Sequence, residues 1–313
     1  FTTTLGTSNY RAGVNAGNSI ASGGNYNVCV GDEAGTTINT GDNNILVGFE
    51  AGTGINTGGS NVAVGSEALK TNSSGNQNVA VGYAAMRDLT TAGNNTAVGN
   101  AAMRENETGA QCSAFGRNAL LNNTSSNSNT AVGASSLTAT TSANNTGVGH
   151  NSGTNNSSGT QNVFVGAEAG EFATTSDNCV FVGYQAAQGI TGTKLTGNEN
   201  TAIGMGAGLV LQGTANRNTI VGTEAAASMT TGFENTCLGV FAGDAITTGN
   251  NNIIIGASSD VAAADQTNGI CIGVGITAAA NDFSFGKASN VVTNDFDADA
   301  NWSRSSDERL KKN

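Results

Sequence analysis

A short core, Asn-x-small-Val-Gly, recurs along this chain of 313 residues and constrains its fold more than any other feature. Its central glycine stands at Gly31, Gly48, Gly65, Gly82, Gly99, Gly116, Gly133, Gly149, Gly166, Gly183, Gly204, Gly222, Gly239, Gly256, Gly273 and Gly286. Eleven of the fifteen steps between these glycines are 17 residues, and the others are 16, 21, 18 and 13. Such a fixed period marks a solenoid or roll, whose units cannot bury their apolar faces alone.

The positions within a unit supply the local structure. A large apolar residue precedes each glycine, as in Val30, Val47, Val64, Val81, Val98, Phe115 and Val132. Val, Ile or Thr stands two places earlier (Val28, Ile45, Val62, Val79, Thr96), and the residue between is usually small (Ala63, Ala80, Ala97, Ala114). Period-two alternation of β-branched side chains predicts a short strand with the large residues in the core. The glycine, as at Gly48, Gly65, Gly82 and Gly99, makes a sharp bend, and Ala34, Ala51, Ala68 and Ala85 fit a second short strand. Gly41, Gly58 and Gly75, with the Thr, Ser and Asn around them, read as turns.

The expected fold is all-β, a 17-residue-repeat parallel β-roll or β-solenoid. Strands spaced about 4.8 Å apart would make sixteen coils an elongated rod of roughly 75 Å. Burying a Val is worth about 1.5–3 kcal/mol, whereas ordering each residue costs roughly 1–2 kcal/mol. A solitary roll so thin reads as marginal, which predicts a homo-oligomer, with a homotrimeric fibre the expected form. The organisation read from the chain is an entry segment with an irregular first coil over 1–26 and a repeat shaft over 27–286. An acidic linker over 287–304 and a distinct C-terminal element from 305 to 313 follow.

Composition excludes several functions. Charged residues make up 11% and there is no proline, against about 25% charge in ordinary domains, so a conventional enzyme core is not expected. A net charge of −11 argues against nucleic acid, which needs clustered Lys and Arg, and against anionic lipid. No window approaches the roughly 20 apolar residues of a membrane span, so no membrane insertion is expected. The five cysteines form no CxxC pair and His150 is the only histidine, so neither a disulfide framework nor a metal site is read and no cofactor is expected. The chain begins at Phe1, which reads as a processed or trimmed end.

Asparagine stands four residues before the glycine in twelve of sixteen units, including Asn44, Asn61, Asn78 and Asn95. Stacked asparagines can bond amide to amide along the coils as a structural ladder; a polar groove for sugar or ice is the alternative. Glu33, Glu50 and Glu67 share one position in successive coils, either as a solvated face or as a calcium-type ladder. Cys237 and Cys271 share a position two coils apart, too far for a disulfide within one chain. Nine N-x-S/T sequons, at Asn72, Asn94, Asn106, Asn122, Asn123, Asn144, Asn155, Asn156 and Asn301, fall mostly in turns where a glycan could sit. The 21-residue step between Gly183 and Gly204 adds a loop with Lys194 and Leu195 near its tip, read either as a packing insertion or as a binding loop.

The units SNVAVGSEA (60–68) and NNTAVGNAA (94–102) resemble the head repeat of trimeric autotransporter adhesins, although those repeats are usually shorter than 17 residues. The resemblance implies a left-handed parallel β-roll in a homotrimer. The ending SDERLKKN, residues 306–313, resembles the opening of the auto-cleaving intramolecular chaperone of endosialidases and other phage tail fibres. That resemblance implies Ser306 as nucleophile and Lys311 as its general base, cutting before Ser306, in a longer precursor only. A plain capping box, Ser305 with Glu308, is the alternative reading of the same residues.

Together these resemblances point to a structural homotrimeric fibre, a viral tail-fibre shaft on the virion or another extracellular surface, partnered by two copies of itself and a cell-surface glycan or protein receptor. A bacterial trimeric surface adhesin head is the runner-up. A glycan-degrading tailspike would need paired carboxylates in a groove.

Overall fold

The computed structural model describes residues 6–297. Among them there is no helix, and every regular element is β. The chain divides into two compact units between Thr175 and Ser176, and each is a parallel β-solenoid.

In the first unit, ten strands of three residues each open one coil: β1 (Tyr10–Ala12), β2 (Val28–Val30), β3 (Ile45–Val47), β4 (Val62–Val64), β5 (Val79–Val81), β6 (Thr96–Val98), β7 (Ser113–Phe115), β8 (Thr130–Val132), β9 (Thr146–Val148) and β10 (Val163–Val165). Successive strands pair parallel and in register, as in Val62↔Val79, Ala63↔Ala80 and Val64↔Val81. β1 pairs with β2 in the same register, and Gly13 has the φ of 136° typical of the core glycines. Residues 10–13 therefore already follow the strand-and-glycine pattern of the repeat inside the expected entry segment. Arg11, where other coils carry a small or apolar residue, hides it from a search for the repeat.

The second unit contains β11 (Val180–Val182), β12 (Thr201–Ile203), β13 (Thr219–Val221), β14 (Thr236–Leu238), β15 (Ile253–Ile255), β16 (Asp260–Val261), β17 (Ile270–Val274), β18 (Thr277–Ala278), β19 (Asp282–Lys287) and β20 (Asn290–Asp295). Here β11 to β15, β17 and β19 stack in parallel. β20 then turns back antiparallel on β19, so part of the stretch read as an acidic linker is strand. A reversed final strand occupies the sheet edge that a parallel stack would otherwise leave open.

Two expectations are corrected. First, the inside and outside of the strand are exchanged. The middle residue is fully buried, as at Ala63, Ala80, Ala97, Phe164 and Phe181, while the flanking Val64, Phe115 and Val132 are 37%, 41% and 39% exposed. The conserved parity explains this. The asparagine and the middle residue lie two apart and so share a face, while the large residues share the other. The lumen thus receives the asparagine and the middle residue, and the β-branched residues on either side of the middle one face out.

Second, among the described residues regular coils have no second strand at the alanines, and the only equivalent there is the short β16–β18 pair in the terminal coils. After each glycine the chain alternates right- and left-handed residues, with Glu67 at φ 59° and Leu69 at φ 54°. This alternation sends hydrogen bonds both ways. Glu67 N–H donates to Phe49 O of the preceding coil (2.9 Å), and Leu69 N–H donates to Ala85 O of the following one (2.9 Å). The coils are thus tied at the turn as well as at the strand.

Burial per coil is larger than the sequence count allowed. Ala63, Ala68 and Leu69 all lie in the lumen of one coil, and Ile38, Ile55 and Leu89 fill a further inner position in theirs.

Candidate functional site

The asparagine column is internal. Asn27, Asn44, Asn61, Asn78 and Asn95 are completely buried. Asn44 Nδ2 donates to Asn27 Oδ1 (3.0 Å), Asn61 Nδ2 to Asn44 Oδ1 (3.1 Å) and Asn78 Nδ2 to Asn61 Oδ1 (3.1 Å). Each amide oxygen also accepts the next backbone N–H, as from Asn61, Asn78 and Asn95. The same Nδ2 groups reach the turn carbonyls of Gly58, Gly75 and Ala92. These bonds satisfy polar backbone that the lumen would otherwise strand. No sugar or ice lattice can touch a sealed column.

Cys112 and Cys179 replace asparagine in this column. Cys112 N–H keeps the ladder's connection by donating to Asn95 Oδ1 (2.9 Å), and its thiol donates to Ser126 O (3.3 Å). Cys29, Cys237 and Cys271 fill the middle strand position. All five cysteines are buried and none is in a disulfide. Desolvation pushes Cys29 and Cys237 up to about 12 and Cys179 to about 11, so these thiols are inert packing groups. In the register Ile254 lies between Cys237 and Cys271, in keeping with two separate core residues.

The glycine column is a close backbone approach. A Cβ on Gly48, Gly65, Gly82 or Gly99 would lie 2.5 Å from the carbonyl oxygen of the next core glycine.

The glutamate row is bridged by protein. Lys70 Nζ contacts Glu50 Oε2 at 2.6 Å and Glu67 Oε1 at 3.8 Å. The hydrogen bond to Glu50 leads the causes that hold the Lys70 ammonium above its ordinary range. Among the described residues no group of three or more His, Cys, Asp or Glu could hold a metal ion. No helix there is long and apolar enough to cross a membrane.

Burial overturns the glycan reading for several sequons. Asn72, Asn106, Asn123 and Asn156 are fully buried, and their side chains close the turn from inside, as in Gly75 N–H to Asn72 Oδ1 (2.9 Å) and Asn72 Nδ2 to Gly75 O (3.0 Å). Asn94 and Asn144 are exposed, and Asn301 lies outside the described residues. The inserted loop is likewise corrected at one position. Leu195 is buried and forms a bridge to Gly213, while Lys194 is exposed. Ile190 is displaced outward to 39% exposure as Leu195 takes the inner position. Ser306 and Lys311 lie outside the described residues.

Two surface features were not anticipated. The outward residue before each core glycine forms an apolar column, with Val64, Phe115 and Val132 exposed in the first unit and Ile203, Ile272 and Phe285 in the second, and Ile45 (44% exposed) and Ile253 add to it from the other outward strand position. Exposed Phe49 and Tyr83, directly after their glycines, widen the stripe. The signal was present in the parity of the asparagine. The second feature is an open groove of about 270 Å³ on the second unit, lined by Thr196, Gly197, Asn198, Glu199, Thr214, Asn216 and Arg217. Arg217 there bonds Glu199 (3.2 Å) on one side and Glu234 (2.9 Å) on the other.

No family model matches the chain, and neither a curated protein nor a solved structure matches it.

Proposed function

We propose that this chain is the shaft of a homotrimeric fibre, a viral tail-fibre type of assembly that gives reach and attachment at a host surface. The observation that carries the reading is the outward apolar stripe, repeated on coil after coil in both units. A single chain leaves Val64, Phe115 and Val132 37–41% exposed in a column of last strand residues that is apolar from Val30 to Val165. Extended apolar patches of this kind mark interaction surfaces. A surface repeated every coil is best covered by a partner with the same repeat, which is another copy. Closed cyclic symmetry then lets three copies cover one another without leaving an open end for filament growth. This support replaces the argument from a marginal lone coil, since each coil buries more than that argument counted.

The C-terminal resemblance adds a folding step. The segment beginning at Ser306 would open a chaperone that assembles three chains and leaves by cleavage of the Ser305–Ser306 bond, Ser306 attacking and Lys311 accepting its proton. The test is the solution mass of residues 1–313 by analytical ultracentrifugation, alongside a form extended by its natural downstream sequence. The expected result is the mass of three chains, cleavage of the extended form before Ser306, and no cleavage in Ser306→Ala. Replacing Val64 and Val81 together by Lys should yield folded monomer. A wild-type monomer would overturn the fibre, and an uncleaved trimer would overturn the chaperone step alone.

A further inference from the structure

In a repeat protein, places where several columns break their rule together stand out against the rest, and the second unit has one such place. The position five residues before each core glycine is left-handed and outward-facing throughout, from Ser8, Tyr26 and Asn43 to Asn251, Asn268 and Asn281. Its only charged members are three in succession, Glu199, Arg217 and Glu234, with φ of 60°, 53° and 57°. The neighbouring column holds Asn, Asp, Gly, Ala or Thr in every coil except one, where it holds Phe233, 39% exposed. The longest step between core glycines, 21 residues, ends at Gly204, and an 18-residue step follows to Gly222, in these same coils.

In the coil of Gly222 the hydrogen bond usual for an asparagine of that neighbouring column is unmade, although the 21-residue step before it keeps its own. In that neighbouring column the side-chain oxygen normally accepts the backbone N–H of the preceding coil, as Asn76 does from Gly59 (2.7 Å), Asn127 from Ala110 (2.7 Å), Asn198 from Asp177 (2.8 Å) and Asn250 from Phe233 (3.0 Å). Among the described residues Asn216 does not bond Asn198 in this way. Its amide nitrogen donates to Thr214 O (3.0 Å), and its oxygen and the Asn198 N–H are left to the groove. The groove is thus floored by an open donor and acceptor and walled by a guanidinium held planar between two carboxylates. Glu234 N–H donates to Asn216 O (3.0 Å), which sets Phe233 one coil beyond Asn216 on the same column.

We propose that this groove is a binding subsite for a neutral hexose unit of a glycan. Vicinal hydroxyls are paired donors and acceptors, matched by the lining groups of Arg217, Glu199 and Asn216. The apolar face of a pyranose ring packs on an exposed aromatic, which Phe233 offers from the next coil, beside the residues that line the groove. At about 270 Å³ the groove falls just below the roughly 300–1,000 Å³ of pockets for drug-sized ligands, a size for one sugar ring. Two carboxylates beside Arg217 and a net charge of −11 repel an acidic sugar. The inference rests on the fibre reading only for the source of the sugar, the host surface.

The test is saturation-transfer NMR and calorimetry on the full chain with glucose, galactose, mannose and N-acetylglucosamine oligosaccharides, and with sialyllactose as the anionic probe. The expected result is binding of a neutral oligosaccharide, weakened roughly tenfold or more by Phe233→Ala and severalfold by Asn216→Ala, and unchanged by Gln77→Ala in the same row of the first unit. Absence of neutral-sugar binding, binding of sialyllactose alone, or binding indifferent to both variants would each overturn it. The same samples report oligomeric state: a trimer without sugar binding removes this site alone, and a monomer that binds sugar removes the fibre alone.

Discussion

Two stretches, one in each unit, fill a narrow lumen in opposite ways. In the coils of Gly65 to Gly133 the strand contributes only alanine (Ala63, Ala80, Ala97, Ala114, Ala131), and the turn contributes the bulk (Leu69, Met86, Met103, Leu120, Leu137), all buried. In the coils of Gly222 and Gly239 the strand contributes Ile220 and Cys237, and the turn recedes to Ala226 and Gly243. A Cβ on Gly243 would stand 2.6 Å from Cys237 Sγ. What is kept constant is the filled cross-section and not the residue at either column. The turn solution also carries strain, since Leu69, Met86, Met103, Leu120 and Leu137 hold φ between 47° and 54°. A left-handed residue costs roughly 1–2 kcal/mol, which burial of a large side chain, about 1.5–3 kcal/mol, offsets.

The backbone of the lumen should tolerate less than its side chains. In Gly82→Ala the new Cβ meets Gly99 O at 2.5 Å, at a φ of +132°. The carbonyl belongs to the next coil's backbone and cannot swing away without breaking the parallel pairing. We expect the largest loss here, above about 4 kcal/mol, read as a lowered urea midpoint and lost hydrogen-exchange protection over Val79–Val81. Gly192, with nothing within 4 Å of its added Cβ, is the matched control and should be silent. An unchanged midpoint for Gly82→Ala would mean that the coils are not held at this approach.

The exchange between strand and turn can be tested by transplanting one solution into the other. The coil of Gly48 pairs Leu46 with Gly52, whose added Cβ would lie 2.7 Å from Leu46 Cδ2, while the next coil pairs Ala63 with Leu69. Leu46→Ala should cost about 2–5 kcal/mol through the cavity it leaves. Gly52→Leu alone should cost about 1–3 kcal/mol through overpacking. The double variant recreates the neighbouring coil, so the double-mutant cycle should show a favourable coupling of roughly 0.5–3 kcal/mol. Additive losses would show that the two stretches differ for reasons other than volume.

The coil, its period and its parallel register were legible because they depend on local chemistry repeated many times. Which face of the strand points inward was less legible, because alternation alone is symmetric between faces. Asn61 could have broken that symmetry, since a residue placed to bond Asn44 and Asn78 must lie inside with Ala63. The turn was misread as strand because left-handed Glu67 and Leu69 have no composition signal of their own. The groove at Arg217 was invisible for another reason: it is a departure from the repeat, and a repeat is found by averaging departures away.

The turn column that holds Leu or Met in the first stretch holds Asp260 in the coil of Gly256. Desolvation, reinforced by Asp244, raises this carboxyl to about 7, against the hydrogen bonds from Val261 and Ala245 N–H that lower it. The folded state therefore holds a proton that the unfolded chain releases near pH 4. Stability from this group is fully present below that unfolded value and is lost as pH rises through about 7. Asp260→Asn should flatten the decline in melting temperature between pH 4 and 8, raising it above wild type at pH 8 but not at pH 4. Parallel curves for the two proteins would show that Asp260 and Asp244 do not share a proton.

The smallest effect belongs to the outward face of the same turns. Lys70 bridges Glu50 and Glu67 with its side chain 33% exposed, and pairs so open to water contribute at most about 1 kcal/mol. Lys70→Gln should lower stability by less than that at low salt, and the difference should vanish near 0.5 M NaCl, where the screening length is only a few ångströms. The measurement also separates the two readings of the glutamate row. If the lysine neutralises it, added calcium leaves the wild-type melting temperature unchanged, and Lys70→Gln gains no more than a screening salt would give. A rise in wild-type melting temperature with micromolar calcium, reversed by chelator, would mean that the row takes a cation despite the lysine lying across it.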